Sequence, residues 1–237
     1  MNHTPPLSPR PLTRERQWTQ DGFPVLTLRL SLPHSGGTAR RLRRIDRCYL
    51  RFARCYERYC ARFLLPQATA AFHAAVAAHR PFQPWAATAD YRLTLLTPEL
   101  MSLTLELREP EADGTCLRRR RGDTWDLRDG YPLALGDFFP RDPLPLRRLR
   151  RLAREELPHR GGALRPDWRL RLHTAGGAHF YLTAAGLVFF YPMYALGDAA
   201  LGIPEFLLPW EETEGLSLPE GISSLCALDK GDAAALS

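Results

Sequence analysis

Lysine is almost missing from this 237-residue chain, where 31 of the 32 basic residues are arginine. Long apolar runs are missing too. A membrane helix needs about 18 apolar residues free of charge, and no stretch supplies them, so no transmembrane segment is expected. The opening MNHTPPLSPRPLTRER has no apolar core of the kind a secretory leader carries, so the chain reads as cytoplasmic as encoded. Five cysteines (Cys48, Cys55, Cys60, Cys116, Cys226) make an odd number with no CxxC spacing. With no HExxH and no His-rich tract either, no metal and no cofactor are expected, and the cysteines read as reduced and buried. The chain also lacks a G-x-S-x-G elbow. His73 and His79 fall on different faces of their helix, and His159, His173 and His179 have no acid at a meaningful spacing. No catalytic residue is named, and a non-enzymatic protein is the expectation.

What is present is enough apolar content, 45%, to bury a sizeable core. Charge is unevenly placed: residues 1–65 carry 13 Arg against 4 acids, and residues 195–237 one Lys against 8 acids. Residues 1–20 are Pro-rich and without periodicity, so they read as a flexible arm. One α+β domain is expected over 21–216, with an N-terminal part 21–110 and a C-terminal part 111–216. The acidic, small-residue tail 217–237 is expected to be poorly ordered.

Phe23 to Leu32 alternates as a first strand, and Thr38 is a candidate N-cap. From Ala39 to Leu65, the residues Leu42, Ile45, Tyr49, Phe52, Tyr56, Tyr59 and Phe63 recur at spacings of 3 and 4, which predicts a long amphipathic helix. Pro66 should break or kink it, and Gln67 to His79 resumes helical. The period then becomes two. Tyr91, Leu93 and Leu95 face Leu103, Leu105 and Leu107 across Thr97-Pro98-Glu99, as in a hairpin. A strand through Thr124 to Leu127 follows, then a turn at Asp129-Gly130. A second, shorter helix begins at Asp142-Pro143 with Leu146, Leu149, Leu152 and Ala153 inward, and Leu170 and Leu172 suggest a short strand. The sum is α+β, a largely antiparallel sheet packed against a long N-terminal amphipathic helix and a second shorter helix.

The most patterned stretch is FYLTAAGLVFFYPMYALGDAALGIPEFLLPW, Phe180 to Trp210. A turn at Ala184-Ala185-Gly186 precedes the wholly apolar Leu187 to Tyr191, which predicts a buried strand. Ile203 to Trp210, bracketed by prolines, suits an edge strand. This order of FYLT, GLVF, a tyrosine-containing turn, then GIPEF, Pro and Trp resembles the C-terminal domain of the RsiV-like family. Gly130, Leu133, Leu135, Asp137 and Phe138-Phe139 match the family's G-x-x-L-x-L-x-D-x-F pattern with one residue of offset. The resemblance covers roughly Phe23 to Leu216. It implies a lysozyme-sensing anti-sigma factor's receptor domain, also found ahead of the PdaC deacetylase module, and hence a bacterial cell-envelope, extracellular protein binding a lysozyme-like partner or a cell-wall ligand. One departure stands out: where the family carries a Gly-Gly-Ala-His loop this chain has Gly114-Thr115-Cys116-Leu117, and a GGAH string appears instead at Gly176 to His179.

Two surfaces are candidates for contact. Arg40, Arg44, Arg47, Arg51, Arg54, Arg58 and Arg62 repeat along the long helix opposite its apolar stripe, and Arg118, Arg119 and Arg120 lie in a run of four ending at Arg121. Guanidinium groups one turn apart must be hydrated or meet an anion. Nucleic acid, an anionic membrane or an acidic protein patch would serve, this chain's own acidic C-terminal third among them, and so would solvent alone. No RRM, zinc-finger or helix-turn-helix pattern supports nucleic acid. Tyr191, Tyr194 and Trp210 are candidates for a sugar-stacking ligand surface, with core packing the alternative. Asp123 and Asp126 are candidate carboxylate partners for arginine.

Overall fold

The computed structural model describes residues 10–112, 114–138, 144–174 and 179–213. The described chain is α+β, its strands divided between two sheets. The larger holds β1 (Arg10–Gln20), β2 (Phe23–His34), β3 (Trp85–Leu96), β4 (Leu100–Pro110), β5 (Cys116–Asp126) and β6 (Tyr131–Leu133) in that order. The smaller holds β7 (Phe180–Leu182), β8 (Gly186–Phe190) and β9 (Glu205–Pro209), antiparallel with β8 central. The helices are α1 (Arg40–Tyr59), α2 (Leu65–Ala77), α3 (Leu135–Phe138), α4 (Leu144–Glu156) and α5 (Trp168–Thr174). Among the described residues no helix is long and apolar enough to cross a membrane. Contacts divide the chain into two compact units. One is built on the described residues of 10–91 and 105–119, and the other on Arg92–Thr104 and the described residues from Arg120 onward.

In the first unit, Arg10–Gln20 is a strand rather than the expected flexible arm. It pairs antiparallel with β2 from Arg10↔His34 to Gln20↔Phe23, with one register shift between Trp18 and Thr19. The turn between them is Asp21-Gly22, with φ of 50° and 81°, the doubly left-handed turn that suits a two-residue hairpin. β2 carries Val25, Leu26, Leu28, Leu30 and Leu32 inward. Its other neighbour, β3, is parallel to it. A parallel pair needs a long crossover, and α1 with α2 supplies it, packing on β2.

α1 begins after Ala39 with no side-chain cap, so Thr38 does not play that part. The entry loop is fastened from inside the helix instead. The Ser35 N–H and hydroxyl donate to the two Asp46 carboxylate oxygens at 2.7 and 2.8 Å. The helix buries Ile45, Asp46, Tyr49, Ala53 and Tyr56 and leaves Phe52 and Tyr59 half-buried at the flank. Cys60–Leu64 is a π turn, and α2 continues directly from it with Pro66 in its first turn. A proline has no N–H to give and its ring crowds the carbonyl four residues back. A wider turn just ahead absorbs both, and the rod is neither broken nor ended at Pro66.

In the second unit, Leu149, Ala153, Leu157, Trp168, Leu172, Phe180, Leu182, Leu187, Phe189, Tyr191, Phe206, Leu208 and Trp210 form one core. The run Leu187–Tyr191 is buried throughout, as its unbroken apolar character predicts. Gly122 on β5 allows the close approach of β7, since a Cβ there would sit 1.9 Å from the Phe180 carbonyl oxygen. A buried hydroxyl pair, Ser102 and Thr124 at 2.9 Å, completes the junction, and Ser102 Oγ accepts from the Leu182 N–H at 2.8 Å. Residues 168–174 correct the expected strand. They are helical because Asp167 starts a turn, its carbonyl accepting from Leu170 and Arg171 and its carboxylate meeting Arg171 Nε at 2.7 Å. Trp168 and Leu172, four apart, are therefore buried, while Leu170 is 66% exposed. The expected start of α4 at Asp142-Pro143 and the tail 217–237 lie outside the described residues.

Candidate functional site

Along α1, Arg40, Arg47, Arg51, Arg54 and Arg58 are exposed and Arg44 is half-buried, with Arg62 exposed just beyond. The helix has two acids of its own, and both are turned away from this row. Asp46 is buried, holding Ser35 and standing 3.3 Å from His34 Nδ1. Glu57 pairs with Arg16 of β1. Among the described residues no carboxylate pairs with Arg40, Arg47, Arg51 or Arg54, while Arg58 donates to the Arg54 carbonyl at 3.3 Å. Arg40, Arg47, Arg51 and Arg54 thus remain as a row of exposed cations with no carboxylate partner among the described residues.

The arginines of β5 behave differently. Arg118 meets Glu106 at 3.0 Å, Arg119 lies 3.6 Å from Glu109, Arg120 pairs with Glu205, and Arg121 meets Asp123 at 2.6 Å. Alternation along a strand sends neighbours to opposite sides, and each side has carboxylates ready. The run Arg118 to Arg120 is therefore answered within the chain and is not an open anion surface. The expected partnership of Asp126 with arginine is also present: Arg128 Nη2 and Nε reach it at 2.8 and 3.2 Å and hold its carboxyl below the usual carboxylate range.

Glu109 was not legible as a candidate and is the most enclosed charge near α1, 2% exposed. The Tyr56 hydroxyl donates to its Oε1 at 3.1 Å and the Tyr59 hydroxyl to its Oε2 at 2.9 Å. Burial and this carboxylate push both phenols above the ordinary tyrosine range, Tyr56 far above it. Burial pushes the nearby Cys60 thiol up to about 12, so it stays protonated at neutral pH. The signal was in the alternation: Glu109 shares parity with the inward Leu103, Leu105 and Leu107, so the strand pattern itself delivers a carboxylate to the interior. Phe52, Tyr56 and Tyr59 stack successively, with centroids 5.8 and 5.8 Å apart, and Phe63 follows at 5.3 Å with its ring tilted by 37°. At the open end Phe63 is 50% exposed. Arg62 lies 5.5 Å over its ring, and Arg119 lies 5.8 Å over that of Tyr59.

The proposed stacking surface is not formed. Tyr191 is buried, its hydroxyl donating to the Leu172 carbonyl at 3.1 Å and its pKa pushed up to about 12 by burial. Trp210 is buried as well, with Nε1 donating to the Thr183 carbonyl at 3.2 Å. Tyr194 is half-buried, with a left-handed φ of 66°. An apolar run in the middle of a sheet draws its aromatics inward, and each polar tip finds a carbonyl there. The cysteines also depart from expectation: Cys60 is buried, but Cys55 and Cys116 are exposed and Cys48 is half-buried, all four free. Among the described residues no three His, Cys, Asp or Glu side chains gather as metal ligands would.

The comparisons with known proteins point to one family. Residues 136–211 match the model of a protein family of unknown function, DUF3298. No curated protein matches the sequence. Among solved structures the chain is similar to a DUF3298 family member from Bacteroides fragilis, with a TM-score of 0.65 at 17% identity, covering 93% of this chain and 98% of that one. It is also similar to a DUF3298 family protein from Pseudomonas aeruginosa, with a TM-score of 0.59 at 15% identity, covering 92% and 97%. At these identities the likeness is one of fold.

Proposed function

We propose that the chain is a non-enzymatic binding module whose contact surface is the arginine face of α1 and whose partner is an acidic protein. The observation that carries this reading is the disposition of charge on one helix. Its two acids are engaged elsewhere, and Arg40, Arg47, Arg51 and Arg54 have no carboxylate of their own among the described residues. Exposed like charges repel, and an acidic surface relieves that repulsion while speeding encounter. The test is calorimetric titration with poly-L-glutamate over a salt series. Affinity should fall steeply as salt rises, and the triple variant Arg47→Glu, Arg51→Glu, Arg54→Glu should not bind. Binding indifferent to ionic strength, or unaltered in the triple variant, would sink the proposal.

A second reading is favoured by the matched segment. Residues 136–211 contain the strands whose pattern resembles the RsiV sensor domain. By that analogy the module works at the cell envelope and recognises lysozyme or a cell-wall ligand. The burial of Tyr191 and Trp210 removes the aromatic surface for a sugar, so a protein ligand is the better form of this reading. Titration with lysozyme tests it, and absence of heat at high micromolar concentration would end it.

A further inference from the structure

We infer that the acidic partner segment also carries aromatic or apolar side chains, and that these seat on Phe63 and Tyr59 at the end of the arginine row. This rests on the arginine-face reading and adds what the partner must contain. The π turn at Cys60–Leu64 turns Cys60 and Leu64 inward and leaves Phe63 at 50% exposure, although the spacing of its stripe would have carried it into the core. Its ring sits 5.3 Å from that of Tyr59, tilted by 37°, so an apolar step backed by a second ring is presented rather than a lone side chain. Arg62 is exposed and holds its guanidinium group over the Phe63 ring, while Arg119, already facing Glu109, lies over that of Tyr59. Aromatic residues and arginine are enriched at interface hot spots. The Arg62 cation beside the ring selects for carboxylates flanking whatever apolar group lands there.

Charge complementarity favours an acidic peptide chain over single-stranded nucleic acid. A nucleic acid stacks a base on a ring at successive steps along its groove. Here the row of rings is interrupted, since Tyr56, between the half-buried Phe52 and Tyr59, is 6% exposed.

The experiment compares poly-L-glutamate with a random glutamate–tyrosine copolymer carrying the same number of glutamates, and with a thymidine oligonucleotide. All are titrated at low salt into the full chain and into Phe63→Ala. The copolymer should bind about tenfold tighter than poly-L-glutamate, the scale of one aromatic anchor. That advantage should vanish in Phe63→Ala while poly-L-glutamate binding is unchanged, which also certifies that the variant folds. Leu207→Ala, on β9 and 41% exposed, should keep the full advantage. Equal affinity for the two polymers, or an advantage that survives Phe63→Ala, overturns the aromatic seat and leaves the arginine-face reading standing. Failure of both polymers to bind overturns the arginine-face reading itself. Tighter binding of the oligonucleotide than of the copolymer overturns the choice of a peptide.

Discussion

The long helix and the small sheet both bury tyrosine, but they answer its hydroxyl with different chemistry. On α1 the hydroxyls of Tyr56 and Tyr59 share the Glu109 carboxylate, itself 2% exposed and faced by Arg119. In the small-sheet core the Tyr191 hydroxyl donates to a backbone carbonyl, and its ring packs edge-on against Phe189 and Phe206. The first arrangement depends on a charge that must stay paired. The second depends on filled volume. An enclosed carboxylate loses much when one partner is removed, whereas an apolar core loses most when atoms are removed. The two regions should therefore fail under different perturbations, and that is measurable.

The largest loss is expected from the small sheet. Phe189 is 1% exposed with its ring edge-on to Tyr191, and Phe189→Ala should cost about 3–5 kcal/mol in urea unfolding. Phe63→Ala, half-exposed at the end of α1, should stay within about 0.5 kcal/mol. If the two were equal, the volume argument would fail.

Hydrogen bonds sharpen the contrast at intermediate size. Tyr56→Phe removes a donor from a carboxylate and should cost about 1.5–3 kcal/mol, against about 0.5–1.5 kcal/mol for Tyr191→Phe, whose acceptor is neutral. Reversal of that order would mean that Arg119 and Tyr59 alone satisfy Glu109. The alkaline limb carries the same distinction. Unfolded, the Cys60 thiol and the Tyr56 phenol lose their protons near 9.0 and 10.0. Folded, both hold them more tightly, Cys60 up to about 12. Above pH 9 the unfolded chain therefore binds fewer protons than the folded one, so stability is intact below that pH and falls as pH rises toward 12. Melting temperature followed from pH 7 to 12 should show this decline, and Tyr56→Phe should flatten it more than Tyr191→Phe.

These contrasts also explain what could be read from the residues alone. α1 and the β3–β4 hairpin each carry a strong period and the buried β8 an unbroken apolar run, and each forms the element so predicted. β1 carries none, because an edge strand exposed along most of its length has no apolar face to display. It is held by its ladder with β2, and the one local clue was Asp21-Gly22. At Trp168–Thr174 the Arg–Leu alternation reads as a strand, and the segment is helical because Trp168 and Leu172, four apart, are the pair it buries. The site divides likewise. The arginine row of α1 is a local pattern and was legible. Arg118 to Arg120 looked like the same thing, because the carboxylates answering them, Glu106, Glu109 and Glu205, come from other strands. Charge runs on a helix can be judged from the helix's own acids; charge runs on a strand cannot.

The smallest expected change in stability is the one most informative about function. Arg47→Glu, Arg51→Glu and Arg54→Glu touch exposed side chains whose interactions with the rest of the chain are few, so each should shift unfolding by no more than about 0.5 kcal/mol. Arg120→Ala is the counter-case: its side chain is 12% exposed, pairs with Glu205 and lies 5.9 Å over the Phe190 ring, so its loss should be felt in unfolding. A fold has no need of an arginine that can be reversed in charge without consequence. If the three α1 substitutions destabilise as much as Arg120→Ala does, the row is structural and has no claim on a partner. If they leave the melting temperature alone and abolish binding to acidic polymer, the helix carries those charges for something outside the chain.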